Sequence, residues 1–118
     1  MGAPVLHFEI MGGPEGQLEN FYSQLFDWKI DSNNPMKYGI VDTGGQGGIN
    51  GGVGPEMAEQ GGTTRVSIYA AVSDIPATLA KVESLGGKVL MPETEVPGGP
   101  VIAMFSDPAG NVTGLMKA

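Results

Sequence analysis

The chain nearly repeats itself, and that constrains the fold more than any single motif. LHFEI at residues 6–10 returns as VSIYA at residues 66–70, a shift of 60. At that shift Leu6 meets Val66, Phe8 meets Ile68, Tyr22 meets Val82, Leu25 meets Leu85 and Ile30 meets Leu90. A shift of 63 then pairs Gly47 with Gly110, Ile49 with Val112, Gly51 with Gly114 and Val53 with Met116. Two copies of one supersecondary unit are expected to pair so that each covers a face the other leaves open. Any ligand site is expected between them.

At 118 residues the chain has the size of one domain with a core of its own. We expect a single domain over residues 1–118, with modules at about 4–54 and 64–117. Hydrophobic content of 41% with 16% charged residues is globular, and 20 glycines with 9 prolines predict short, sharply bent loops. The net charge is −7, and its six Lys and Arg are scattered singly. No basic cluster exists to neutralise phosphates, so nucleic acid is not an expected partner. The absence of cysteine excludes disulfides, thiolate metal sites and cysteine nucleophiles. The opening MGAPVLHFEI has neither a cationic start nor a long apolar run, and no segment approaches the roughly 18 apolar residues that span a bilayer. A cytoplasmic protein with no membrane partner is expected.

Residues 5–11 alternate as a strand, with Leu6, Phe8 and Ile10 on one face and Val5, His7 and Glu9 on the other. After Pro14, the spacing of Leu18, Phe21, Tyr22 and Leu25 predicts a helix with one apolar stripe. Strands follow at 28–30 and 37–43 around an SNNP turn, and the glycine-laden stretch 48–53 reads as the last strand of the first copy. Residues 56–63 read as the linker between copies. The second copy has a strand at 65–72, then a helix capped by Asp74 and closed by Gly86 and Gly87. It continues with a strand at 88–91, a PETEVPGGP loop, a strand at 101–106, a DPAG turn and a last strand at 111–117. Each copy thus reads βαβββ.

This order, with HFEI before FYSQLFDW and GGKVLMP before IAMFSDPAGNVTGLM, resembles the vicinal oxygen chelate superfamily, which includes glyoxalase I, bleomycin-resistance proteins and extradiol dioxygenases. The resemblance covers essentially the whole chain. It implies an α+β fold in which two tandem βαβββ modules form a cupped, mostly antiparallel sheet with helices on the outside. A ligand or metal sits on the concave side in such proteins. Metal-using members take one ligand from the first strand of each module and a carboxylate from each final strand. Carried onto this sequence, those places are His7, Ser67, Gly51 and Gly114, of which only His7 binds metals well. Metal sites of this kind generally need three protein ligands. No cofactor is therefore expected, a divalent metal at His7 being the alternative.

Strand alternation puts His7 and Glu9 of the first copy on the face that carries Arg65, Ser67, Tyr69 and Ala71 in the second. With Gly51 and Gly114 leaving space, this mixed lining suits a small organic molecule. His7 reads equally as a retained neutral imidazole or as a ligand contact or general base. Glu9 and Arg65 read as an ion pair between neighbouring strands rather than as an acid and an anion clamp. Tyr69 reads as a core ring before it reads as a catalyst. Neither a dinucleotide loop, a P-loop nor a GxSxG elbow occurs. Three readings follow: a metal-independent small-molecule binder of the drug-sequestering kind; a glyoxalase-type lyase or isomerase, or dioxygenase-related enzyme, using His7 and Glu9; and a subunit of a larger assembly. Leftover sheet edges predict a homodimer.

Overall fold

The computed structural model describes residues 2–56 and 64–118. The linker expected at 56–63 lies, apart from Glu56, outside the described residues. The elements run β1 (Val5–Met11), α1 (Gln17–Phe26), β2 (Lys29–Asp31), β3 (Gly39–Asp42), β4 (Gly51–Gly54), β5 (Arg65–Val72), α2 (Ile75–Ser84), β6 (Lys88–Glu95), β7 (Val101–Ser106) and β8 (Val112–Lys117). The chain is α+β, and the order βαβββ occurs twice. It divides into two compact units, His7–Val66 on one side and Ser67–Ala118 with Met1–Leu6 on the other.

In the unit His7–Val66 the strand order is β2, β3, β4, β1, with β4 and β1 parallel and the other two pairs antiparallel. The other unit repeats this as β6, β7, β8, β5, again with one parallel pair, β8 with β5. Helix α1 starts after Gly16 in the left-handed region (φ 85°) and ends at Asp27, also left-handed (φ 57°). That reversal returns Trp28 onto the helix, where its ring lies 5.6 Å from Tyr22, 5.0 Å from Phe26 and 5.3 Å from Phe8. Helix α2 is better anchored. Asp74 accepts a hydrogen bond from the Ala77 N–H at 3.0 Å, as its position predicts, and Pro76 sits in the first turn, where a missing N–H costs nothing.

Two apolar layers flank the sheet of the second unit. On the helix side Ile75 and Leu79 pack with Ala103 and Leu115. On the opposite side Tyr69 packs with Ile102 and Met104. The sequence alone does not assign Ile102 and Met104 to a side; the structure gives both to the face of Tyr69.

Two differences from expectation have physical causes. The chain from Pro92 onward, expected as loop, continues β6 to Glu95, with register shifts after Val89 and after Met91. A proline is tolerated there because β6 pairs only with β7 in its unit and the irregular register relieves its missing donor. The second difference concerns the repeat. Glu9 pairs with Gly52, and its counterpart Tyr69 pairs with Gly114. The last strands therefore match at a shift of 62 rather than 63, so Gly52 stands where Gly114 stands. Gly51 pairs with Phe8 and lies on the helix side, because a slip of one residue moves a position to the other face.

Candidate functional site

In β1, alternation sends Phe8 to the aromatic cluster under α1 and leaves His7 and Glu9 on the opposite face. Glu9 is buried, with only 3% of its surface exposed. Its Oε1 forms the expected ion pair with Arg65, whose side chain is 6% exposed. A buried pair of this kind is tolerated only where further hydrogen bonds satisfy the remaining lone pairs. Tyr38 supplies one, its Oη donating to Glu9 Oε2 at 2.8 Å. The same oxygen lies 2.9 Å from His7 Nε2, and the two rings lie nearly parallel, 18° apart. His7, Tyr38, Glu9 and Arg65 thus form one continuous polar chain within the unit His7–Val66.

Sequence reasoning does not find Tyr38, because its role comes from a turn. Asn34 holds the backbone of Tyr38 at both ends, donating through Nδ2 to its carbonyl at 2.7 Å and accepting its N–H at 3.0 Å. Lys37 takes the left-handed conformation (φ 54°) that the tight return requires. The phenol comes to rest over Gly52, where any Cβ would meet the hydroxyl end of the ring. The one legible signal is Gly52 itself, a residue without a side chain opposite a carboxylate. Burial holds the His7 imidazole below its ordinary pKa of 6.5, outweighing the opposing pull of the Glu9 carboxylate. That shift favours the neutral form of the ring.

The remaining site candidates belong to the other unit. Ser67 is buried and donates through Oγ to the Val112 carbonyl at 2.8 Å. Tyr69 is 2% exposed, and its ring covers Gly114, so the space a glycine leaves there is taken by that ring. The DPAG turn closes on itself: Asp107 accepts from the backbone N–H groups of Ala109 and Asn111, both at 2.9 Å, and from Asn111 Nδ2 at 2.8 Å. Those bonds, chiefly from Asn111, hold the Asp107 carboxyl below the usual range. In the unit His7–Val66 a depression of about 400 Å³ borders Arg65 and is lined also by Ile10, Met11, Gln17, Leu18 and Val66. That volume falls at the lower end of small-molecule sites.

The donor set does not fit a resident metal. Among the described residues no three His, Cys, Asp or Glu side chains are grouped to hold one. Where the resemblance expects further ligands stand Ser67, Gly114 and, in the observed register, Gly52, which leaves His7 and Glu9 as donors, already bonded to Tyr38 and Arg65. No helix among the described residues is long and apolar enough to cross a membrane.

Comparison with known proteins agrees with this fold. The sequence model of the Glyoxalase/Bleomycin resistance protein/Dioxygenase superfamily matches residues 6–115. The chain is 30% identical over 105 residues to CFP32 of Mycobacterium bovis, described as a putative glyoxylase; the match covers 85% of this chain and 40% of that protein. The chain therefore spans well under half the length of the curated relatives it matches. Among solved structures, a glyoxalase/bleomycin resistance protein/dioxygenase superfamily member from Vibrio splendidus 12B01 superposes with a TM-score of 0.65 at 12% identity, covering 99% of this chain and 100% of the other. Methylmalonyl-CoA epimerase from Mycobacterium tuberculosis superposes with a TM-score of 0.64 at 11% identity, covering 96% and 86%. At such identities these likenesses speak for the fold alone.

Proposed function

The chain belongs to the glyoxalase/bleomycin resistance protein/dioxygenase superfamily, and from that we propose that it binds a small organic molecule through the face carrying His7, Tyr38, Glu9 and Arg65, without a complete catalytic metal site. One observation carries the reading: the Glu9–Arg65 pair is buried and extended by Tyr38 to His7. Burying two charges costs several kcal/mol, roughly, before their attraction is counted. A purely structural role is met as well by apolar side chains of similar volume, whereas convergent polar groups suit recognition.

The test is a thermal-shift screen of metabolites and aromatic antibiotics on the wild-type protein and on Tyr38→Phe. A ligand present at about 100 times its Kd stabilises by about 2.7 kcal/mol. We expect at least one compound to raise the wild-type Tm and to lose most of that effect in the variant. A screen in which nothing binds sinks the reading.

The neutral state of His7 favours a second reading, in which the imidazole is the base of a lyase or isomerase of glyoxalase type. Turnover of any bound compound that disappears in His7→Gln, with binding retained, decides for it. A cytoplasmic homodimer belongs to the same proposal. Its support is the apolar surface of α1, where Phe21, Leu25 and Phe26 are each more than half exposed. A monomeric mass at micromolar concentration removes the dimer.

A further inference from the structure

The hydroxyl of Tyr38 has one proton to donate and reaches both Glu9 and His7. Its oxygen lies 2.8 Å from Glu9 Oε2 and 2.9 Å from His7 Nε2. The Glu9 carboxylate, ion-paired with Arg65, has only lone pairs to offer, so the phenol proton points to Glu9. What the phenol oxygen turns toward His7 is then a lone pair. A hydrogen bond forms between that oxygen and Nε2 only where Nε2 carries a proton. In the neutral ring the second nitrogen, Nδ1, keeps the acceptor lone pair.

We propose that Tyr38 is a positioning residue, which locks His7 in the Nε2–H tautomer and so makes Nδ1 the accepting atom of the imidazole. The phenol is held in place by the Asn34 clamp on its backbone, by the bare Cα of Gly52 beneath its ring, and by the Glu9–Arg65 pair that orients its proton. The chemistry of whatever meets Nδ1 follows. A hydroxyl, an amide N–H or an ammonium group satisfies it by donating, and a carboxylate or phosphate does not. A cation approaching Nε2 has to displace both a proton and the Tyr38 bond.

The relevance of this tautomer to a ligand rests on the binding reading above, but the tautomer itself belongs to the protein without ligand. The two therefore fail separately. His7 is the only histidine of the chain. Long-range proton–nitrogen NMR spectra of tag-free, ¹⁵N-labelled protein at neutral pH consequently show a single imidazole. We expect a pyrrole-like, protonated Nε2 and a pyridine-like Nδ1. In Tyr38→Phe, which keeps the ring over Gly52 and removes the hydroxyl, both nitrogens should move toward the averaged positions of exchanging tautomers. A pyridine-like Nε2 in the wild-type protein overturns the proposal. So does a folded Tyr38→Phe protein whose imidazole keeps the wild-type pattern. Should that variant not fold, the wild-type spectrum decides alone.

Discussion

The phenol of Tyr38 lies on Gly52, so closely that a Cβ at position 52 would enter the hydroxyl end of the ring. That oxygen is the one shared by His7 and Glu9. Gly52→Ala should therefore act on both stability and the polar chain. Overpacking of this kind costs about 1–3 kcal/mol, read as a lower midpoint in denaturant. The double variant Gly52→Ala with Tyr38→Ala should lose less than the sum of the single losses, since the clash is gone once the ring is removed. Additive losses show that the ring does not rest there.

Removing one partner of the buried pair should cost far more than removing both. Glu9→Met leaves Arg65 charged and buried, an arrangement that costs about 3–5 kcal/mol in comparable cases. Glu9→Met combined with Arg65→Met should recover much of that loss. Chemical denaturation of Glu9→Met, of Arg65→Met and of the double variant gives the coupling directly.

His7 should make the protein sensitive to mild acid. Its folded pKa lies below the ordinary 6.5, so below that pH the unfolded chain binds a proton that the folded chain resists. The contribution is fully present above about pH 6.5 and is lost as pH falls toward the lowered folded value. Glu19, whose carboxyl is raised chiefly by burial, acts with the opposite sign at lower pH. Comparing wild type with His7→Gln at each pH separates the two. Unfolding free energies of the variant should stay flatter just below pH 6.5, and parallel curves refute the assignment.

The cap of α2 offers a cleaner test of local structure. Asp74→Ala removes the bond to the Ala77 N–H and should cost about 1 kcal/mol, whereas Asp74→Asn or Asp74→Ser should retain most of the stability. Far-UV circular dichroism followed through thermal unfolding measures each.

Much of the fold is legible in the sequence because alternation and helical spacing are local properties. The repeat of Leu6 with Val66 and Phe8 with Ile68, the cap at Asp74 and the pairing of Glu9 with Arg65 all follow from counting along the chain. The last strand of the first half is harder, since GGVG has one side chain with which to mark a face. Hence the repeat slips by one there, and Gly51 takes the place that belongs to Gly52. The extension of β6 through Pro92 is hidden by the residue that usually ends a strand. Tyr38 is hidden for a different reason. Nothing in its neighbours' periodicity indicates that a turn residue reaches a carboxylate 29 positions away.

The two helices hold equivalent places in the βαβββ order, yet α2 seats Ile75 and Leu79 in a core and α1 has no fully buried residue. Local opening is cheapest where few apolar contacts must be broken. Amide protons of residues 17–26 should accordingly trade with deuterium well before those of residues 75–84. The same measurement tells whether the half that carries the single imidazole opens ahead of the half that buries its helix.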